Sequence, residues 1–159
     1  MKDHQEKTNA MRILERNGVP YESFRFETKE AVSGVEAAAI LGQDPERVFK
    51  TLVTKGKSGA HCVFVIPVAK ELDLKKAAAA AGEKSVEMIP QKELFPLTGY
   101  VHGGCSPIGM KKQFLTVLDC HAEGKPLILF SAGKIGWQVG VSPEGLRSVT
   151  GCKVADLCR

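Results

Sequence analysis

The stretch "VFKTLVTKGKSGAHCVFVIP", Val48 to Pro67, restricts the fold more than any other part of the chain. Its two arms are rich in β-branched and aromatic residues, and "GKSG" between them is turn chemistry, so the segment reads as a β-hairpin. A hairpin commits the chain to antiparallel pairing. Further strands are read in "VPYESFRF", where Tyr21, Ser23 and Arg25 alternate with Glu22, Phe24 and Phe26, and in "FLTVLD", "LILFS" and "WQVGV".

Helices fill the intervals. "KDHQEKTNAMRILERNG" places Met11, Ile13 and Leu14 on one stripe and stops at Gly18. Ser33 stands three residues before Glu36 as a capping box for a helix ending near Gly42. Asp73 caps "LKKAAAAAG", whose small residues suit close packing on a sheet. A short helix is expected in "PQKELFPL", and a late one in "SPEGLRSVTG" with Ser142 as cap and Pro143 at its first position. Strands outnumber helices, so the fold class is mixed α/β, a mixed sheet with helices packed around it.

At 159 residues, 43% of them hydrophobic and 25% charged, the chain suits one soluble domain spanning 1–159. Lysine and arginine total 22 against 18 acids, a net +4 that permits an anionic partner such as RNA and equally suits a protein with none. The five cysteines form no C-x-x-C pair and follow no apolar signal segment, which points to reduced thiols in a cytoplasmic protein. The longest apolar runs are too short to span a bilayer, and neither a membrane nor DNA is an expected partner.

Five patterns bear on chemistry or binding. Lys50 interrupts a strand and shares a face with Val48 and Leu52, where an ammonium could hold a phosphate or steady a developing oxyanion; an edge lysine reaching solvent is the plainer alternative. "VHGGCSPIG" offers Cys105 with His102 three residues before it, but no acid to orient that histidine, so a packed thiol fits as well as a nucleophile. The pairs His61–Cys62, Cys120–His121 and His102–Cys105 lack zinc-site spacing, and no metal is expected. Gly103 and Gly104, and the second glycine loop "SAGKIG" with Ser131, Gly133 and Lys134, could bring main-chain N–H groups to a ligand or could be simple turns. "SAGKIG" is not a phosphate-binding Walker loop, and no cofactor is expected. Lys55, Lys57, Lys75, Lys76, Lys111 and Lys112 could face RNA, although no aromatic RNA-binding motif accompanies them.

Taken in order, "FKTLV", "LKKAAAAAG", "TGYVHGGCSPIGMKK", "TVLD" and "SAGK" resemble the YbaK/EbsC family of aminoacyl-tRNA deacylases, related to the editing domain of bacterial prolyl-tRNA synthetase. The resemblance implies a barrel-like mixed β-sheet surrounded by helices and a free-standing editing activity. The implied substrate is cysteinyl-tRNA(Pro), with tRNA and prolyl-tRNA synthetase as partners. Cysteine and proline are similar in size, so a synthetic pocket separates them poorly and a second sieve is useful.

The resemblance also assigns roles. Lys50 and Gly103 carry the catalysis, Lys50 at the terminal phosphate or the developing charge and the glycine pair as backbone donors beside the ester. Phe26, Thr51, Gly104, Ser131, Gly133 and Lys134 bind substrate. No protein nucleophile is needed, because the substrate cysteine's thiol can attack its own ester and leave as a thiolactone. Three positions depart from the family pattern: Phe26 stands for a tyrosine, Cys105 for a branched aliphatic residue and Ala132 for a glycine. These departures bear on which amino acid is removed. Outside the resemblance, the alternatives are a Cys105-dependent thioesterase-like hydrolase and a non-catalytic module binding tRNA or a nucleotide.

Overall fold

The computed structural model describes residues 6–28 and 30–159. The hairpin forms as read: β2 (Phe49–Gly56) and β3 (His61–Pro67) run antiparallel with Lys50 opposite Ile66 and Thr51 opposite Val65. Here β1 (Glu22–Arg25) and α1 (Asn9–Arg16) precede the pair. β3 continues parallel to β5 (Leu115–Asp119), and β5 parallel to β8 (Lys153–Ala155). β4 (Val86–Met88) joins the other side of β2, but only from Thr54 to Gly56. The five strands lie in the order β4-β2-β3-β5-β8.

A second sheet has the order β1-β7-β6, from β6 (Ile128–Lys134) and β7 (Trp137–Val141). Among the described residues the two sheets are joined by one parallel backbone bridge, between Val48 and Leu129. The barrel-like expectation is therefore met as two sheets joined at one seam, without full closure. The reading of "SAGKIG" as a loop needs correction: Ser131 to Lys134 continue β6, with a register shift between Ser131 and Lys134, and only Ile135 and Gly136 turn the chain. Gly133, at φ +106, accommodates the irregularity.

Local signals set the helix ends. Thr8 accepts from the Met11 N–H to open α1, Ser33 and Glu36 form the complete capping box of α2 (Gly34–Leu41), and Asp73 accepts from Lys75 and Lys76 at α3 (Leu74–Ala81). α4 (Leu94–Thr98) follows a short 3-10 turn, and α5 (Pro143–Thr150) starts on Ser142. The part of the expected first helix from Lys2 to Gln5 lies outside the described residues.

Each face of the five-stranded sheet is covered. Phe49, Val65 and Leu118 pack with Phe130 and Val139 of the second sheet, Met11 and Leu14 of α1 and Leu146 of α5. On the other face Phe64, Ile66 and Val117 meet Ala77 and Ala78 of α3, whose small side chains bring that helix close. Full burial of side chains such as Phe64, Phe130 and Leu14 contributes about 1.5–3 kcal/mol each. Leu157 seals this second layer, and Asp119 holds the tail that carries it: the buried carboxylate accepts from the N–H groups of Leu157 and His121, both at 2.9 Å, and pairs with the His121 ring. Among the described residues no helix is long and apolar enough to cross a membrane.

Candidate active site

β2 is bridged to β6 at Val48 and covered by β4 from Thr54, so Phe49 to Val53 keep one edge open. Val48 O accepts from Val68 N, and Gly56 N donates to Ala60 O, which turns the main chain of the even-numbered residues toward β3. The odd-numbered residues, Thr51 among them, turn theirs to the open edge; Val53 O accordingly accepts from Ile89 N at 3.3 Å.

A cleft of about 390 Å³ runs along this edge, a size suited to a small-molecule group. Its other walls are the N-terminal turn of α2, the segment from Met88 to Leu94, the His102–Cys105 loop, and the β6–β7 hairpin from Ser131 to Gln138. Of the residues expected in the site, Phe26, Lys50, Thr51, Gly103 and Ser131 line the cleft together. Lys50 is half-buried opposite Ile66 and has no carboxylate or hydrogen-bond partner among the described residues. An unneutralised, partly desolvated ammonium attracts an anion.

Gly104, Gly133 and Lys134 are not on the cleft wall. Gly104 packs one loop onto the other: a Cβ there would lie 3.0 Å from Ile135 N and 3.2 Å from Lys134 C. Its N–H is engaged by Val101 O at 2.9 Å, so it is not a free donor toward an ester. Gly133 gives its N–H to Ser131 Oγ and leaves room for the Tyr100 ring. Lys134 lies outside the mouth, its Nζ 4.7 Å from the Trp137 ring centroid and 3.6 Å from Glu6 Oε2. The Gly103 N–H, by contrast, has no partner among the described residues.

Tyr100 organises this side. Its hydroxyl donates to Ile108 O, and burial pushes its pKa up to about 12, so it stays a protonated donor. Cys105 lines the cleft, and burial pushes that thiol up to about 12 as well, against a smaller opposing pull from the Thr98 hydroxyl. Burial thus disfavours the thiolate form of Cys105, the form a nucleophilic cysteine needs.

Two residues that the sequence did not single out belong to the site. Gln138, in the middle of "WQVGV", sits across from Ser131 and lines the cleft. Trp137 forms part of the rim under the Arg25 guanidinium, 3.7 Å from the ring centroid. A polar residue inside an apolar strand was the available signal for Gln138. The Cys120–His121 pair, read as lacking zinc spacing, lies away from the cleft with Asp119, whose oxygens are occupied by the tail and His121 contacts.

A recessed strand edge beside a half-buried lysine and a backbone amide, neither with a partner among the described residues, equips this domain to hold a ligand. The sequence places that domain further: the chain belongs to the aminoacyl-tRNA editing domain family, whose profile matches residues 28–149. A protein of Enterococcus faecalis named as a Cys-tRNA(Pro)/Cys-tRNA(Cys) deacylase, EbsC, is 47% identical over 98% of this chain and 96% of its own. A proline–tRNA ligase of Pelobacter propionicus is 28% identical over 61% of this chain, which corresponds to 17% of the ligase. A crystal structure described as a trans-editing enzyme for prolyl-tRNA synthetase superposes with a TM-score of 0.82 at 26% identity, covering 97% of this chain and 99% of that one.

Proposed function

We propose that this chain, acting as one editing unit over 1–159, removes a wrongly attached amino acid from tRNA. The preferred substrate is cysteinyl-tRNA(Pro), and prolyl-tRNA synthetase is the partner that delivers it. The observation that carries this reading is the cleft that gathers Lys50, Thr51, Gly103 and Ser131 around an open strand edge without an activated nucleophile. The name of the Enterococcus faecalis relative supports the substrate, and the editing-domain stretch shared with a proline–tRNA ligase supports the tRNA.

The chemistry then comes from the substrate. The cysteinyl thiol attacks its own ester carbonyl, a C–S bond forms, the C–O bond to the ribose breaks, and the thiol proton passes to the departing ribose oxygen. Gly103 N–H donates to the carbonyl oxygen as negative charge develops there, and Lys50 supplies positive charge on the phosphate side of the ester. The other cleft walls hold the ester in the reactive conformation.

A deacylation assay with cysteinyl-, alanyl- and prolyl-tRNA(Pro) tests this. Wild type releases cysteine, Lys50→Ala lowers kcat/KM by about 100-fold or more, and Cys105→Ala stays close to wild type. Loss of activity in Cys105→Ala alone would overturn the reading in favour of a thiol hydrolase. Tight tRNA binding with no turnover of any charged tRNA would reduce the chain to a binding module.

A further inference from the structure

Two buried side-chain oxygens among the described residues have no hydrogen-bond partner, Thr51 Oγ1 and Gln138 Oε1, and both residues line the cleft. Gln138 is only 8% exposed. Folded proteins rarely leave such atoms unpaired, because nothing replaces the water lost on burial. Two of them in residues that line one cleft point to a ligand that brings a hydrogen-bonding group to each.

The nature of the atoms limits that group. A glutamine carbonyl oxygen only accepts, so the ligand must donate. Among the described residues neither Asp nor Glu lines the cleft, so a cationic donor entering it would be held by neutral oxygens. At the charged end of an aminoacyl-tRNA, the α-ammonium of the amino acid carries three N–H donors, enough for two acceptors at once. Lys50, on the β2 wall, repels this ammonium and attracts the phosphate, so the two charges orient the ester across the cleft.

We propose that Gln138 Oε1 and Thr51 Oγ1 accept hydrogen bonds from the substrate's α-ammonium group, which makes the site selective for esters with a free α-amino group. This selectivity rests on the editing reading and adds a specificity-determining residue, Gln138, to it. N-acylated aminoacyl-tRNA, which lacks the ammonium, is rejected.

The test compares Cys-tRNA(Pro), Ala-tRNA(Pro) and N-acetyl-Cys-tRNA(Pro) with wild type, Gln138→Met and Gln138→Glu. Wild type prefers the free amine, and Gln138→Met loses about 10- to 100-fold on both free-amine substrates, mainly in KM, while leaving the acetylated one unchanged. Gln138→Glu retains the preference. Equal turnover of the acetylated form by wild type overturns the proposal. So does an equal loss on all substrates in Gln138→Met, which indicates a structural role, or a loss confined to Cys-tRNA, which indicates a thiol contact.

A second measurement separates this proposal from the editing reading. Calorimetric binding of 3'-cysteinylamino-3'-deoxyadenosine and its N-acetyl form needs no turnover. If no charged tRNA is deacylated yet Gln138→Met binds the free-amine nucleoside about tenfold more weakly, and the acetylated one equally, the ammonium site stands without the reaction. Equal binding of both nucleosides by wild type and Gln138→Met overturns it.

Discussion

Gly103→Ala with its companion Ala31→Gly probes how the cleft loop is held. Gly103 sits at φ +87, where an L-residue costs about 1–2 kcal/mol. The new Cβ would also lie 2.6 Å from the Ala31 Cβ, far inside contact distance, and such overpacking costs about 1–3 kcal/mol. The single variant therefore loses about 2–5 kcal/mol, or on the order of 5–15 °C in Tm for a domain of this size. Ala31→Gly removes the clashing methyl, and the next nearest atom, the Ala31 Cα at 3.4 Å, is an ordinary neighbour. In the double variant only the φ term remains, so the double-mutant cycle shows a favourable coupling of about 1–3 kcal/mol. Urea melts of the four proteins, with the deacylation assay alongside, measure it. Strictly additive effects, or a Gly103→Ala variant as stable and active as wild type, would refute this account of the loop.

Two further outcomes follow from titrating groups. Burial raises the Asp119 carboxyl, but the hydrogen bonds it accepts, from the His121 and Leu157 N–H groups first, outweigh this and hold it below the ordinary range. A depressed carboxyl adds stability above its unfolded pKa of about 3.9, and that stability is lost as pH falls through the lower folded value. Asp119→Asn is expected to destabilise by about 3 kcal/mol at pH 7, to flatten the acid limb of the stability profile and to speed hydrogen exchange at the Leu157 amide; an unchanged profile would contradict it. Cys105, with its thiol pushed up to about 12, holds roughly one part in 10⁵ of thiolate at pH 7 and should resist iodoacetamide in the folded protein while alkylating on denaturation. Rapid native labelling at Cys105, read by mass spectrometry, would show the burial argument to be wrong.

Helix ends were readable in the sequence because their causes are local. Ser33 with Glu36, Asp73, and Ser142 with Pro143 act within a single turn of their own helix, and the structure uses all three sets. What depends on distant pairing was not readable. Ser131 to Lys134 look like a glycine loop until β7 supplies the hydrogen bonds that make them strand, and β8, three residues long, exists only because β5 is beside it. The site divides the same way. Lys50 stood out as a charge inside an apolar strand, whereas the unpaired state of Gln138 is a property of everything around it. Gly104 shows the converse: its missing side chain was legible, but its use, packing against Lys134 and Ile135, was not.

The open edge of β2 has one more consequence. An exposed strand edge is a template on which a foreign strand can grow, and many proteins blunt it with charge or proline. Here the edge lies in a trench walled in part by the start of α2 and the loop bearing Gly103. A slim acyl end can reach it, but a whole β-strand with its flanking side chains meets the walls first. The trench thus also guards the edge against pairing with another chain, and loosening its walls would favour such association as well as impair activity.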